Sequence, residues 1–459
     1  MSARTEPHPP EDGLRVVRRL NEAGYEAWFV GGCVRDSLLG KEARDWDICT
    51  NALPEEMAAV FRGWHVVETG LKHGTLTVML NHLPYEVTTF RVDGAYSDHR
   101  HPDSVTFTPE LREDLRRRDF TVNAMAWHPE RGLMDCFGGR EDLDSRVIRC
   151  VGNPRERFGE DALRVLRGLR FAACYGFQVE DDTAAAMREM AGDVALVAGE
   201  RIRVEMEKLL CGNSAEAVLR GYADVITAIF PALSPMVGFD QRSPWHRWDV
   251  WEHSIRAVSA IAPEPTLRWV MLLHDAGKPS VFSTDEQGVG HACGHQKASA
   301  EIAAALFDRL RFDTRTRERA LLLIEKHDIP MPADPKSLKR QLNRFGEEAV
   351  RQLIAVHAAD EKAKGTAPQG EPERWAEAMT RALDGLLAQE ACYTLAALAV
   401  KGSDLKAIGM RPGKAMGETL RRLLDAVIDG EVPNEREALL AMAEQTNQNA
   451  DAPRQGQEE

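Results

Sequence analysis

The chain has 459 residues, 43% of them hydrophobic, enough for three or four separately cored domains. No apolar run approaches the ~18 residues of a membrane span, the polar, Pro-rich start MSARTEPHPPEDG has no signal-peptide core, and eight scattered cysteines without a Cys-x-x-Cys pair fit a reducing, cytoplasmic setting. The formal net charge of −14 argues against a uniformly basic nucleic-acid binder. Charge is uneven, however: residues 149–170 carry six arginines against three acids, so an RNA partner stays open.

Residues 14–24 pattern as an amphipathic helix. Trp28, Phe29 and Val30 then form an apolar run that stops at Gly31-Gly32, and Val34, Leu38 and Leu39 follow at helical spacing. That order predicts strand, tight turn and helix start. A Gly-Gly turn lets backbone N–H groups approach a phosphate, the helix N-terminus favours an anion, and Arg35 adds a rigid donor fork one turn in. In Arg44-Asp45-Trp46-Asp47-Ile48, a strand period of two puts Asp45 and Asp47 on one face. Two carboxylates beside a triphosphate cradle are what Mg²⁺ ions need for in-line displacement at phosphorus.

A short helix is expected around 54–61, then strands at 74–80 and 85–90 separated by a turn at 81–84. Glu86, Thr88 and Phe90 share a face, and Glu86 is either a third metal carboxylate or an ordinary exposed strand residue. Residues 91–108 read as a long Gly-, Pro-, Asp- and His-containing loop; His99, His101 and Asp103 have a metal-like spacing, but a mobile functional loop is the favoured reading over a metal site. The arginines 116–118 after it are either an anion site or a salt-bridged helix face, and Asp135 sits in the turn that closes this region.

Residues 153–175 predict one long helix that buries Leu163, Leu166, Leu169 and Phe171. Asp161 and Arg164 lie three apart, so both project from nearly one face. A carboxylate accepts from a base amino group and a guanidinium donates to a ring nitrogen or carbonyl, so such a pair can read a base edge; the same spacing also makes an ordinary surface ion pair. Residues 181–230 continue helical, with Arg201, Arg203 and Glu205 expected to be structural. The tryptophans of SPWHRWDVWEHS (243–254) are expected in the core. Four histidines and two aspartates follow in apolar helical stretches: His253, His274-Asp275, His295, His327 and Asp360.

The order strand, Gly-Gly, Arg-Asp helix, Asp-x-Asp over residues 28–48 resembles the nucleotidyltransferase superfamily, in particular the bacterial-type tRNA CCA-adding enzymes (class II) and their poly(A) polymerase relatives. The resemblance implies that Asp45 and Asp47 bind Mg²⁺, with Glu86 as the candidate third acid, and that Gly32 and Arg35 hold the triphosphate. The run RRDFTVNA resembles a family motif in which Arg118 contacts the nucleotide while Asp119 and Asn123 line the sugar. EDALR resembles the EDxxR base-reading motif, carried by Asp161 and Arg164, with Arg157, Arg167 and Arg170 toward triphosphate or RNA. The intact 91–108 loop implies full CCA addition.

The order His…His-Asp…Asp resembles the HD metal-dependent phosphohydrolases. It implies that His253, His274, Asp275 and Asp360 ligate a divalent metal of unspecified identity, that His295 and His327 serve a second metal or a phosphate, and that Lys278 touches phosphate. Gly402, Gly409 and Gly413 punctuate a closing region that either grips the tRNA elbow or only packs. The expected fold is therefore α+β: a nucleotidyltransferase head with a small mixed sheet (13–150), an all-α neck (151–240), an HD domain (241–365), a helical tail (366–445) and a disordered end (446–459). The expected function is untemplated CCA addition to tRNA from CTP and ATP, the alternatives being a poly(A) polymerase, a CC-only or A-only enzyme, a phosphohydrolase with a vestigial head, or a non-catalytic RNA binder.

Overall fold

The structure, a computed structural model, describes residues 6–43, 45–68, 70, 74–94 and 104–451, the last six of these by backbone alone. Two compact units divide the chain. One comprises residues 1–237, 263–269 and 305–313; the other holds the rest.

In the first unit, α1 (Glu11–Glu22) opens with the acids Glu11 and Asp12 and buries Val16, Val17 and Leu20. It is followed by β1 (Ala27–Val30), α2 (Gly32–Leu38), β2 (Ile48–Thr50), α3 (Pro54–Val60), β3 (His65–Val67), β4 (Thr75–Leu80) and β5 (Leu83–Thr89). Next come β6 (Arg91–Asp93), β7 (Val105–Phe107), α4 (Leu111–Arg116), β8 (Met125–His128), β9 (Gly132–Asp135) and α5 (Gly139–Ser145). Seven strands form one mixed sheet in the order β3-β4-β5-β2-β1-β8-β9, in which β2 and β5 run parallel and the other neighbours antiparallel. All four residues of β1 are buried, as a continuous apolar run on a central strand requires.

Three expectations change here. Asn81 and His82 both take positive φ (47° and 66°), so the β4–β5 connection is a two-residue turn and β5 begins at Leu83. The ends of the expected 91–108 loop pair as a ribbon, Arg91 opposite Phe107, because Val105, Thr106 and Phe107 favour extended backbone. The middle of that loop, with His99, His101 and Asp103, lies outside the described residues. Ladder bonding of β2 starts only at Ile48, yet Asp45 and Asp47 are exposed while Trp46 and Ile48 are buried, the alternation the period of two demands.

The helical remainder of this unit begins with α6 (Pro154–Glu160) and α7 (Leu163–Tyr175), then α8 (Asp181–Met190), α9 (Gly199–Leu210), α10 (Ala215–Gly221) and α11 (Ala223–Ile229). The single helix expected over 153–175 is broken at Asp161, whose backbone is extended (φ −142°, ψ 101°). Its carboxylate accepts from Leu163 N–H at 3.1 Å, so the side chain satisfies a free donor of the next helix instead of continuing the first.

The second unit is helical, apart from one short strand pair, Ser283–Thr284 with Gly290–His291: α12 (Val250–Ala260), parts of α13 (Pro265–Leu273) and α14 (His295–Arg309), α15 (Thr314–Lys326), α16 (Pro335–Phe345), α17 (Glu347–Lys364), α18 (Glu371–Ala388), α19 (Gly402–Ala407), α20 (Lys414–Asp429) and α21 (Arg436–Asp451). Asp249 caps α12 by accepting from Glu252 N–H at 2.7 Å. Leu398, Val400, Leu405, Leu423 and Leu439 core the last helices. Helix α21 runs to Asp451, past the expected onset of disorder at 446, and residues 452–459 lie outside the described residues. Of the three tryptophans expected in the core, Trp251 is buried on α12, Trp248 is half-buried, and Trp245 is 71% exposed. Trp245 precedes the Asp249 cap, so no helical periodicity turns it inward. Among the described residues, no helix is long and apolar enough to cross a membrane.

Candidate functional site

Gly31 ends β1 with φ 82° and ψ −127°, a conformation that favours glycine, and a Cβ there would lie 3.1 Å from Arg118 Nη1. Its N–H donates to Met125 O at 3.2 Å, which ties the turn to β8, and α2 opens one residue later. Beneath this turn lies a cleft of about 520 Å³ whose lining includes Gly32, Arg35, Asp45, Asp47, Arg118 and Asn123. Val30 N–H donates to Asp47 O at 3.0 Å, fixing Asp47 beside the turn. Because β2 and β5 pair in parallel with Ile48 opposite Val87, Asp47 and Glu86 fall side by side, both exposed where Ile48 and Val87 are buried. Desolvation in the concave site pushes the Asp47 carboxyl up to about 6, Glu86 and Asp45 add to that, and Arg118 opposes it. Asp45, Asp47 and Glu86 thus offer carboxylate oxygens near the middle of the sheet, the donor type a divalent cation takes.

Facing these acids is an arginine network knotted at Asp119. Its carboxylate accepts from Arg167 Nε and Nη2 at 2.8 and 2.7 Å, from Asn123 Nδ2 at 3.0 Å and from Phe120 N–H at 2.8 Å. Burial pushes this carboxyl up, but Arg167 and the Asn123 bond outweigh it and hold it well below the usual carboxylate range. Arg35 donates to Asn123 Oδ1, grips Asp36 through Nε and Nη2 at 2.9 and 3.0 Å, and lies over the Tyr175 ring at 4.7 Å. Asp114, fully buried, accepts from Arg117 at 2.8 Å and Arg118 at 3.2 Å; burial raises its carboxyl, and the two guanidinium groups more than reverse that. Arg118 Nε is buried, with no hydrogen-bond partner among the described residues.

Asp161 and Arg164 meet through the backbone, Arg164 N–H donating to Asp161 O at 2.9 Å, but their side chains pair elsewhere and neither residue lines the cleft. Asp161 accepts from Arg201 at 2.8 Å. Arg164 donates to Glu160 at 2.6 Å and to the carbonyls of Arg157 and Arg117 at 3.1 and 3.0 Å. Arg157 pairs with Glu160, whereas Arg167 and Arg170 do line the cleft. Glu205, expected to be structural, is buried against Arg170 at 3.2 Å and Arg167 at 3.7 Å, so it positions two cleft arginines. Asp36 and Glu205 were missed as site residues. Asp114 carried an i, i+3 and i, i+4 signal toward Arg117 and Arg118, but Glu205 meets its partners across 35 or more residues, which no local pattern shows.

In the second unit, His253, His274, Asp275 and Asp360 place ligand atoms within 4.8 Å of one another, and Asp275 forms a second such group with His295 and His327. His253 Nε2 lies 3.1 Å from His274 Nε2 and 2.9 Å from Asp360 Oδ1. His274, His295 and His327 each donate Nδ1–H to the carbonyl three residues back, at 2.8, 2.9 and 2.7 Å. In the neutral ring that leaves each Nε2 as an acceptor, and those of His295 and His327 face each other at 3.3 Å. Burial, with His274 adding to it, pushes His327 down to about 4, so it is neutral near pH 7. Opposed lone pairs and two buried carboxylates are the donor set a cation accepts. Lys278, expected to touch phosphate, instead pairs with Asp275 at 2.6 Å while lining the adjoining cavity of about 350 Å³.

A glycine turn and paired acids on a mixed sheet, backed by an arginine-bearing helix, define a nucleotidyltransferase head followed by helical domains. Residues 27–149 match the Poly A polymerase head domain, 176–236 the family described as the probable RNA and SrmB-binding site of polymerase A, and 325–443 the family described as tRNA nucleotidyltransferase domain 2, putative. The CCA-adding enzyme of Geobacillus stearothermophilus is 35% identical over 96% of this chain and 98% of its own length. That of Limosilactobacillus reuteri is 34% identical over 95% and 96%. The crystal structure of the Bacillus stearothermophilus CCA-adding enzyme in complex with CTP aligns with TM-score 0.74 and 32% identity, over 97% of this chain and 99% of that one. The chain belongs to the CCA-adding enzyme family. The Thermotoga maritima enzyme complexed with tRNA shares the fold, with TM-score 0.57 and 22% identity over 96% of this chain and 97% of that one.

Proposed function

We propose that the chain adds C, C and A in turn to the 3′ end of tRNA, from CTP and ATP and without a nucleic-acid template, in the cytoplasm. The observation that carries this reading is the single cleft in which Asp45 and Asp47 face Arg118, Asp119 and Asn123 beneath the Gly31-Gly32 turn. Asp47, raised by burial and then by Glu86 and Asp45, fits Mg²⁺ held by Asp45 and Asp47 with Glu86 beside them. When bound, Mg²⁺ lowers the pKa of the attacking ribose hydroxyl and offsets charge on the leaving pyrophosphate.

The protein's own groups position the reactants. Gly32 N–H and Arg35 hold the triphosphate, Arg118, which lines the cleft, contacts the nucleotide, and Asp119 orients Asn123 toward the sugar. Asp161 and Arg164 read the base once they exchange Arg201 and Glu160 for its amino and carbonyl groups, with Arg167 and Arg170 countering phosphate charge. The proposed division is head 13–150, neck 151–240, HD domain 241–365 and tail 366–445, with the tail toward the tRNA elbow.

The test is a tRNA transcript lacking CCA, incubated with Mg²⁺ and CTP, ATP or both. Two additions with CTP alone and a third only with ATP are expected. Long tails from ATP alone would move the assignment to poly(A) polymerase, and arrest after CC to partial addition.

A second activity rests on the convergent histidines: a divalent-metal phosphohydrolase acting on tRNA 3′ ends that carry a 2′,3′-cyclic phosphate. His253, His274, Asp275 and Asp360 would hold one ion and Asp275, His295 and His327 a second. A bound ion there supplies a water of lowered pKa. Lys278 and Lys364 anchor Asp275 and Asp360 and leave a cationic rim for phosphate. One water opens the cyclic diester to a terminal phosphomonoester and a second releases inorganic phosphate from it; both products are expected to disappear in His274→Ala.

A further inference from the structure

We propose that the cavity lined by Trp245, His357 and Trp375 is a nucleobase-binding subsite that serves the histidine–aspartate cluster, an inference that rests on the phosphohydrolase reading. The cavity measures about 470 Å³, within the range of small-molecule sites, and its lining is aromatic with two carboxylates, Glu361 and Glu371. One exposed apolar side chain is ordinary. Here Trp245, 71% exposed, borders the same hollow as His357 and Trp375, whose rings lie 4.5 Å apart between centroids. Thr366 Oγ1 donates to Trp245 O at 3.0 Å and pins the segment that carries the indole.

The second observation is continuity with the charged cavity. Ser243 and His246 line the cluster's cavity, while the residues between them, Pro244 and Trp245, line the aromatic one. On α17, Asp360 and Lys364 border the first, and His357, Ala358 and Glu361 the second, on adjoining arcs of one helix. The Lys364 ammonium lies 3.2 Å from Asp360 and 2.5 Å from Glu361, so one charge forms the wall between them. A metal-competent cavity with lysines in its lining, next to an aromatic cavity with carboxylate acceptors, matches a nucleotide: phosphate at the cluster, base against the exposed Trp245 ring, exocyclic amino group toward Glu361 or Glu371.

The test uses the full chain with Mn²⁺ and two substrates, adenosine 2′,3′-cyclic phosphate and the base-free methyl riboside 2′,3′-cyclic phosphate. Trp245→Ala should raise KM for the first on the order of tenfold, as loss of one base-stacking face does. It should leave the second substrate and CTP incorporation unchanged, and Trp245→Phe should restore KM. Trp245→Ala and Trp375→Ala variants that treat both substrates as the native chain does would overturn the subsite while leaving the hydrolase standing. Where the native chain hydrolyses neither substrate, the hydrolase reading falls and binding decides the subsite. Quenching of tryptophan fluorescence by adenosine 3′-monophosphate that is lost in Trp245→Ala supports it, and equal quenching in both proteins overturns it.

Discussion

Replacing Asp119 by Ala removes the knot of the cleft. Arg167 loses two short hydrogen bonds, Asn123 and Phe120 N–H lose one each, and the nearest remaining carboxylate to Arg167 is Glu205 at 3.7 Å. Removing one partner of a buried ion pair costs about 3–5 kcal/mol. Arg167 is 33% exposed and regains water once freed, which trims the expected loss to about 2–3 kcal/mol. For a unit of this size that is a fall of roughly 4–12 °C in the melting temperature of its transition. Circular dichroism melts of the full chain measure it, and because the chain has two compact units, only the transition that moves is read. The pair is isolated by a cycle with Arg167→Ala, where a coupling of about 1–3 kcal/mol is expected. KM for CTP should rise as well, since Asn123 loses its anchor. A melt unchanged within experimental error, or strict additivity in the cycle, would refute the reasoning.

Asp45→Ala and Asp47→Ala should each lower CTP incorporation by at least a hundredfold while tRNA binding, read by filter retention, changes only a few-fold. Gly31→Ala meets both a positive φ and the Arg118 guanidinium at 3.1 Å, so a loss of roughly 1–3 kcal/mol in thermal stability is expected together with weaker CTP binding. Asp114 is held below the ordinary carboxylate range by Arg117 and Arg118, so its stabilisation is complete above about pH 4 and fades as pH falls through its folded value. Asp114→Asn should therefore be less stable than the native chain at pH 7, with the gap narrowing in acid denaturation below about pH 4. Bound divalent metal, measured after dialysis, should fall in His274→Ala and in Asp275→Ala but not in Asp161→Ala.

What was legible in the sequence divides by the range of the interactions. The Gly31-Gly32 turn, the exposed Asp45 and Asp47 and the buried Trp46 follow from periods of two and from one glycine conformation, all local. The histidine cluster was legible because its residue types are costly to bury without partners, so their recurrence in apolar helices marks them. Asp161 was misjudged in one respect: helical spacing ignored that an aspartate can end one helix by capping the next. Trp245 was misplaced because tryptophan usually packs inside, and only the position of the Asp249 cap shows where the helix starts. Glu205 was invisible as a site residue, since its weight comes from guanidinium groups that tertiary folding delivers, whereas Asp36 adjoins its arginine in the chain and only its bond from the Tyr175 hydroxyl depends on the fold.

The arginines of the cleft are not idle before substrate arrives. Arg35 is shared by Asp36 and Asn123, Arg167 is held by Asp119 and Arg170 by Glu205. A guanidinium left bare in a concave site would carry a desolvation cost with nothing to offset it, so each is neutralised by a carboxylate from its own chain. Nucleotide binding is then an exchange of ion pairs, and its free energy is the difference between two charged partners rather than the full strength of one. That makes affinity depend on Asp36, Asp119 and Glu205 as much as on the arginines they hold. Replacing any of the three by its amide should therefore change CTP affinity without any direct contact to the ligand, by strengthening the arginine's claim on phosphate and loosening its aim. The two effects oppose each other, and separating them requires binding affinity and incorporation rate to be measured on the same variant: a lower Kd with a lower kcat is the signature of a donor freed but no longer aligned.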